Sequence, residues 1–129
     1  MTSNNKQRGV GRLRGIIIDV EDLDRAAAFW AGMLGEEAGE RRGMYRTIGS
    51  APWDPSPCPT VVLQQVAEPK VGKARIHVDF EVEDVDEAMS FVSGLGGSLV
   101  ETISEDGWTM IVAADTEGNE FCLIKTPNP

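Results

Sequence analysis

The sequence predicts an α+β domain made of two copies of one β-α-β-β unit, and three observations carry that expectation. First, EDLDRAAAFWAGMLG at 21–35 aligns without a gap on EDVDEAMSFVSGLGG at 83–97, an offset of 62. Identities fall at Glu21/Glu83, Asp22/Asp84, Asp24/Asp86, Ala26/Ala88, Phe29/Phe91, Gly32/Gly94 and Gly35/Gly97. Caps, aromatics and glycines coincide, which chance similarity of two amphipathic helices explains poorly. Second, a β-rich run precedes each copy, GIIIDV at 15–20 and HVDFEV at 77–82. Third, short strand-like segments with turn signals follow each copy. A chain of 129 residues makes one domain. The repeat divides that domain, 12–129, into modules at about 12–68 and 75–126, with a linker at 69–74.

Taken in order, residues 1–11 (MTSNNKQRGVG) are polar, lack the apolar core of a signal peptide and are expected to be a loose tail. The run 15–20 is the first strand. Asp22 offers a side-chain oxygen to the free N–H groups of a helix start. Leu23, Ala26, Ala27, Trp30, Met33 and Leu34 then follow the i, i+3, i+4, i+7 spacing of a buried stripe. Gly35 stands where a left-handed cap ends the helix. Strands are expected at roughly 43–48 and 60–66, with a further one near 36–42. Between them SAPWDPSPCP holds four prolines in ten residues and cannot be a central strand. Its Trp53 reads either as a lid over a pocket or as an anchor for the loop, and its Cys58 reads as an incidental thiol.

The second copy repeats the scheme. Asp84 caps a helix whose stripe is Val85, Ala88, Met89, Val92 and Leu95, and Gly97 is expected to close it as Gly35 does. Strands follow at roughly 98–103, 107–113 and 119–125. DTEG at 115–118 is a hairpin turn with glycine where φ is positive.

The net charge of −9 is unevenly placed. Residues 1–75 carry 11 basic and 9 acidic side chains, whereas residues 76–129 carry 1 basic and 12 acidic. An acidic chain without a basic footprint argues against nucleic acid or an anionic membrane as partner. No apolar run approaches the ~20 residues of a spanning helix. Two cysteines and no export signal suit a cytoplasmic protein with free thiols.

Side chains alternate across a strand. In 77–82, Val78, Phe80 and Val82 share the face that meets the helices, and His77, Asp79 and Glu81 share the other. Asp19 occupies that second face in the first copy. In the last strand Glu120, Cys122 and Ile124 lie together, and Gln64 is the expected counterpart of Cys122.

These residues resemble the glyoxalase / bleomycin-resistance / extradiol-dioxygenase superfamily, also called vicinal oxygen chelate. The carriers are VEDLDRAAAFWAGMLG at 20–35, RIHVDFEVEDVDEA at 75–88 and DTEGNEFCLI at 115–124, so the likeness spans about 12–125. The resemblance implies two tandem βαβββ modules forming a half-open mixed β barrel around a cleft, and a homodimer. Metal-using members take four ligands, one from the first and one from the last strand of each module. Carried over, those slots fall on Gly15, Gln64, His77 and Cys122. Gly15 has no side chain, and only His77 keeps the usual ligand type, where an ion normally needs three or four donors. The expectation is therefore no metal and no other cofactor. Any metal present would sit on His77 with Gln64 and Cys122. A substitute set of His77, Asp79 and Cys122 is awkward, because residues two apart are a little under ~7 Å apart along a strand.

Two functional classes follow, both acting on a small molecule. The first is a metal-free protein of the bleomycin-resistance type, binding a cationic or aromatic ligand. Its contacts would come from Asp19, Gln64, His77, Asp79, Glu81, Trp108, Glu120 and Cys122. Acidic walls favour a cation, and Trp108 either stacks on a ring or packs into the core. The alternative is a lyase, isomerase or dioxygenase with His77 as catalytic base or metal ligand, its ordinary pKa of ~6.5 suiting proton transfer. His77 also has a purely structural reading, and a third class is an interaction module, since fold alone does not supply function.

Overall fold

The computed structural model describes residues 13–50, 59–74, 76–105 and 107–125. The tail at 1–11 and the segment containing Trp53 and Cys58 lie outside the described residues. The first module runs β1 (Gly15–Val20), α1 (Leu23–Leu34), β2 (Tyr45–Ile48) and β3 (Thr60–Gln65). The second runs β4 (Asp79–Val82), α2 (Val85–Gly94), β5 (Ser98–Glu105), β6 (Trp108–Ala114) and β7 (Glu120–Lys125).

Each module folds its strands the same way. The first strand pairs in parallel with the last, which is antiparallel to the one before it. This gives one sheet ordered β1-β3-β2 and another ordered β4-β7-β6-β5. The helix between the first strand and its later neighbours makes the crossover that parallel pairing requires. The two sheets are separate and do not close into a barrel, as a half-open fold requires.

The expected strand near 36–42 does not form. Ala38 bridges to Ile48 and Arg42 to Tyr45 as isolated pairs, and Gly39 donates its N–H to the Thr47 carbonyl at 2.7 Å. The segment reads EEAGERR, whose charges and glycine disfavour a strand. The second sheet therefore has four strands and the first has three.

Both helices start where their caps predict. The Asp22 carboxylate accepts from Arg25 N, and that of Asp84 accepts from Asp86 N and Glu87 N. Gly35 closes α1 in the left-handed region at φ 64°. Gly97 does not repeat that role. Leu95 caps α2 in a right-handed conformation, and the positive φ falls on Gly96 at 101°. Gly97 serves a different need, the close approach of Val92, Phe29 and the Ala114 carbonyl.

One apolar core spans both modules and includes Leu23, Phe29, Trp30, Leu63, Val92, Ile111, Phe121 and Leu123. Its centre is aromatic. Trp30 of α1 meets Phe121 edge-on with centroids 5.5 Å apart and stacks on Phe80 at 6.5 Å and 25°. Edge-to-face and offset rings suit the aromatic quadrupole and add about 0.5–1.5 kcal/mol per pair to simple burial. Polar links join the modules over this core. The Trp30 indole N–H donates to the buried Asp115 carboxylate at 3.0 Å. The Glu117 carboxylate accepts from the backbone N–H groups of Glu21 and Asp22, both at 2.9 Å. The β6–β7 turn of the second module thereby holds the start of α1 in the first.

Candidate functional site

Backbone register sets which side chains share the face turned away from the helices. On the second sheet Asp79 stands beside Cys122, which stands beside Val112. Glu81 stands beside Ile124, which stands beside Met110. Glu120 lies two residues before Cys122 and so shares its face, while Phe80, Phe121 and Leu123 point into the core. On the first sheet Asp19 stands beside Gln64 and Ile17 beside Val62.

This register revises one equivalence. The α-helices start at an offset of 62, which places Asp79 on Ile17. The β3 neighbour of Ile17 is Val62, and the β7 neighbour of Asp79 is Cys122. Val62, not Gln64, is thus the counterpart of Cys122. The two-residue slip was invisible because loop lengths differ between the copies. Gln64 lies beside Asp19, with its Nε2 3.5 Å from Met44 Sδ.

Among the described residues, a nitrogen of His77, a carboxylate oxygen of Asp79 and Sγ of Cys122 lie within 4.8 Å of one another. His77 Nε2 is 3.2 Å from Asp79 Oδ1, and both side chains are 53% exposed. Strict strand spacing would have kept these two apart. However, β4 begins only at Asp79, so His77 precedes the strand and its imidazole lies against the Asp79 carboxylate. Cys122 is buried beneath the pair. Burial raises its thiol pKa above the ordinary range, and the charge of Asp79, a hydrogen bond to it and the charge of Glu120 push the same way. These contributions favour the neutral thiol, which donates to the Asp79 carboxylate.

That raised value gives a measurable sign. A thiol whose folded pKa exceeds its unfolded one (ordinarily ~8.5) stabilises the fold fully below the unfolded value. The contribution is lost as pH rises through the folded value. Alkylation of Cys122 by iodoacetamide at pH 8 is expected to be slower than that of a free thiol, read by mass spectrometry in a Cys58→Ser background. Asp79→Asn removes one charge and one hydrogen bond and is expected to speed it. An unchanged rate would count against the Asp79 contact.

The other expected contacts are spread out. Trp108 opens β6 and is 44% exposed, so it does not pack in the core. It lies four residues from Val112, the neighbour of Cys122, or about 13 Å along the strand. Asp19 and Gln64 belong to the first sheet. The site that the structure brings together is therefore His77, Asp79 and Cys122, flanked on the same face by Glu81 and Glu120.

The four slots that the resemblance implies do not all carry donors. Gly15 offers no donor, and a Cβ there would lie 3.1 Å from the Thr60 carbonyl oxygen. Val62 is apolar. The His77–Asp79–Cys122 group supplies three donors from one module, enough for an ion with one open position.

Two modules with parallel outer pairs, each presenting the open face of its sheet, define a glyoxalase-type fold. A family model described as "Glyoxalase-like domain" matches residues 15–124, and the chain belongs to that family, within the vicinal oxygen chelate superfamily. Solved structures agree on the fold. A glyoxalase/bleomycin resistance protein/dioxygenase family enzyme from Burkholderia phytofirmans PsJN is 17% identical, with a TM-score of 0.72 over 91% of this chain and 100% of that one. The fosfomycin resistance protein FosX from Listeria monocytogenes is 16% identical, with a TM-score of 0.71 over 92% and 96%. A point mutant of the Listeria FosX, complexed with Mn(II) and 1S,2S-dihydroxypropylphosphonic acid, is 17% identical with a TM-score of 0.70 over 90% of each chain. A search of curated proteins gives no match. No helix among the described residues is long and apolar enough to cross a membrane.

Proposed function

We propose that the chain binds a small organic cation on the open face of its second sheet, without a bound metal. The supporting observation is the row of carboxylates on that face. Asp79, Glu81 and Glu120 share that face with Cys122, and Lys125, the single Lys or Arg after position 75, is the β7 neighbour of Val82 on the opposite face. Carboxylates against an apolar floor of Val112 and Ile124 attract a cation more strongly than they would in open water. Trp108 at the end of the face offers a ring for stacking. The metal-free form is supported by the absent donors at Gly15 and Val62. Asp79 also contacts both His77 and Cys122 directly. The protein is read as a cytoplasmic homodimer, with exposed Ile17, Met44 and Tyr45 of the first module available for a second copy; light scattering at twice the chain mass checks this.

The test is a thermal-shift and calorimetric screen of cationic aromatic compounds at low salt. A binder is expected to lose at least tenfold in affinity, about 1.4 kcal/mol, in Asp79→Asn and in His77→Ala. Its affinity should also fall as salt is added. A screen in which anions stabilise the protein and cations do not would overturn the reading.

One observation favours a second reading, an enzyme acting on a small metabolite. The three donors within 4.8 Å would hold a divalent ion that polarises substrate oxygens, or His77 would act as a base oriented by Asp79. Elemental analysis of protein purified without added metal separates these. Stoichiometric metal that disappears in His77→Ala would replace the metal-free reading.

A further inference from the structure

The internal repeat breaks at one ring. Phe29 and Phe91 occupy the same position in the two copies, yet Phe29 is 1% exposed and Phe91 is 57% exposed. Phe29 is covered by the second module. Its ring lies 6.1 Å from that of Phe121, and a Cβ on Gly97 would come within 2.9 Å of it. Among the described residues no equivalent cover reaches Phe91. It borders a groove of about 560 Å³ between α2 and the end of α1, with Met33, Phe80 and Leu123 on the apolar side. That volume lies within the ~300–1,000 Å³ range of small-molecule sites. This groove is on the helix side of the second sheet, opposite the face that carries Asp79 and Cys122.

The rim is acidic. Glu83 and Glu87 stand about one turn apart beside the opening, and neither has an ion-pair partner among the described residues. The neighbouring Asp84 carboxylate is occupied in capping α2. An apolar slot with an exposed ring and two carboxylates at its mouth is complementary to a flat apolar body bearing one positive charge. The apolar part is gained from burial, and the charge is held by the rim and by the face of Phe91.

We propose that this groove is a second ligand site, selective for an aromatic monocation and independent of the sheet-face site. The full chain carries its own reporters. Met33 lines the groove, whereas Met110 lies on the opposite, Cys122-bearing face of the sheet. Protein labelled with 13C at the methionine methyls is titrated with 2-naphthylmethylammonium and, separately, with the neutral 2-naphthalenemethanol. The cation is expected to move the Met33 methyl through ring-current shifts, saturably, and to bind at least fivefold more tightly than the alcohol. Glu83→Gln with Glu87→Gln should remove that preference and leave the alcohol's affinity within twofold. Phe91→Ala should weaken both ligands about tenfold without changing the circular dichroism spectrum, because the ring is largely exposed. His77→Ala and Asp79→Asn should change nothing at Met33, which keeps this site's test separate from that of the sheet face. Three results would overturn the proposal: equal binding of cation and alcohol, an unmoved Met33 methyl, or a dimer that Phe91→Ala converts to monomer while the probe fails to bind. The last would assign the groove to a second copy of the chain.

Discussion

Asp115→Ala is expected to cost about 3–4 kcal/mol of stability, a large value for one substitution. The residue is 3% exposed. Its carboxylate accepts from Glu117 N at 2.8 Å, Asn119 N at 2.8 Å, Asn119 Nδ2 at 3.0 Å and Trp30 Nε1 at 3.0 Å. The first three shape the β6–β7 turn, and the fourth fastens that turn to α1 of the other module. Alanine would leave the indole N–H buried beside Phe121 without an acceptor, each such orphan costing about 1–3 kcal/mol. For a domain of this size the melting midpoint should fall by roughly 10–15 °C. Urea unfolding followed by circular dichroism checks the free energy. Trp30→Phe removes the donor as well, so the double variant should lose about 1 kcal/mol or more less than the sum of the singles. Strict additivity would show that the Trp30–Asp115 contact carries no energy.

Gly97→Ala should destabilise the protein by about 2–3 kcal/mol, while Gly94→Ala in the same stretch should stabilise it by as much as about 1 kcal/mol. A Cβ on Gly97 would sit 2.6 Å from Val92 Cγ1, 2.7 Å from the Ala114 carbonyl oxygen and 2.9 Å from Phe29 Cε1. The carbonyl is fixed in the β5–β6 ladder and both side chains are buried, so nothing yields easily. Gly94 ends α2 with no atom within 4 Å of where a methyl would stand and without a positive φ. There alanine gains helix propensity without a clash. Thermal melts of the two variants side by side suffice. A harmless Gly97→Ala would mean that α2 and β5 slide apart more readily than their packing indicates.

The sequence was clearest where the signal lies within one helix or one turn. Asp22 and Asp84 marked both helix starts, and the stripe from Leu23 to Trp30 marked the buried side of α1. Alternation in β4 placed Phe80 and Val82 toward the core and Asp79 and Glu81 away from it. DTEG announced its turn, with Gly118 at φ 86°. The candidate site was only partly legible. His77, Asp79 and Cys122 were each visible as polar groups on strands. Their convergence was not, because it depends on where β4 begins and on a side chain reaching along the strand.

The departures from the sequence pattern share a cause. Gly97 aligned with Gly35, but a helix stop depends on which residue takes the left-handed conformation, and α2 assigned that to Gly96. The close approach at Gly97 comes from Phe29, 68 positions away in the chain. Gln64 was matched to Cys122 by sequence pattern, while the register of β1 with β3 selected Val62. Local hydrogen-bonding preference and hydrophobic period operate over a few residues, and these were enough to reveal the repeat, the helices and the family resemblance. Strand register and the partners of each apolar face follow from how distant segments pack, since burial and shape complementarity are shared between surfaces. That is why it took the packing of distant segments to make Phe29 core, to leave Phe91 open and to bring three donors together at the edge of the second sheet.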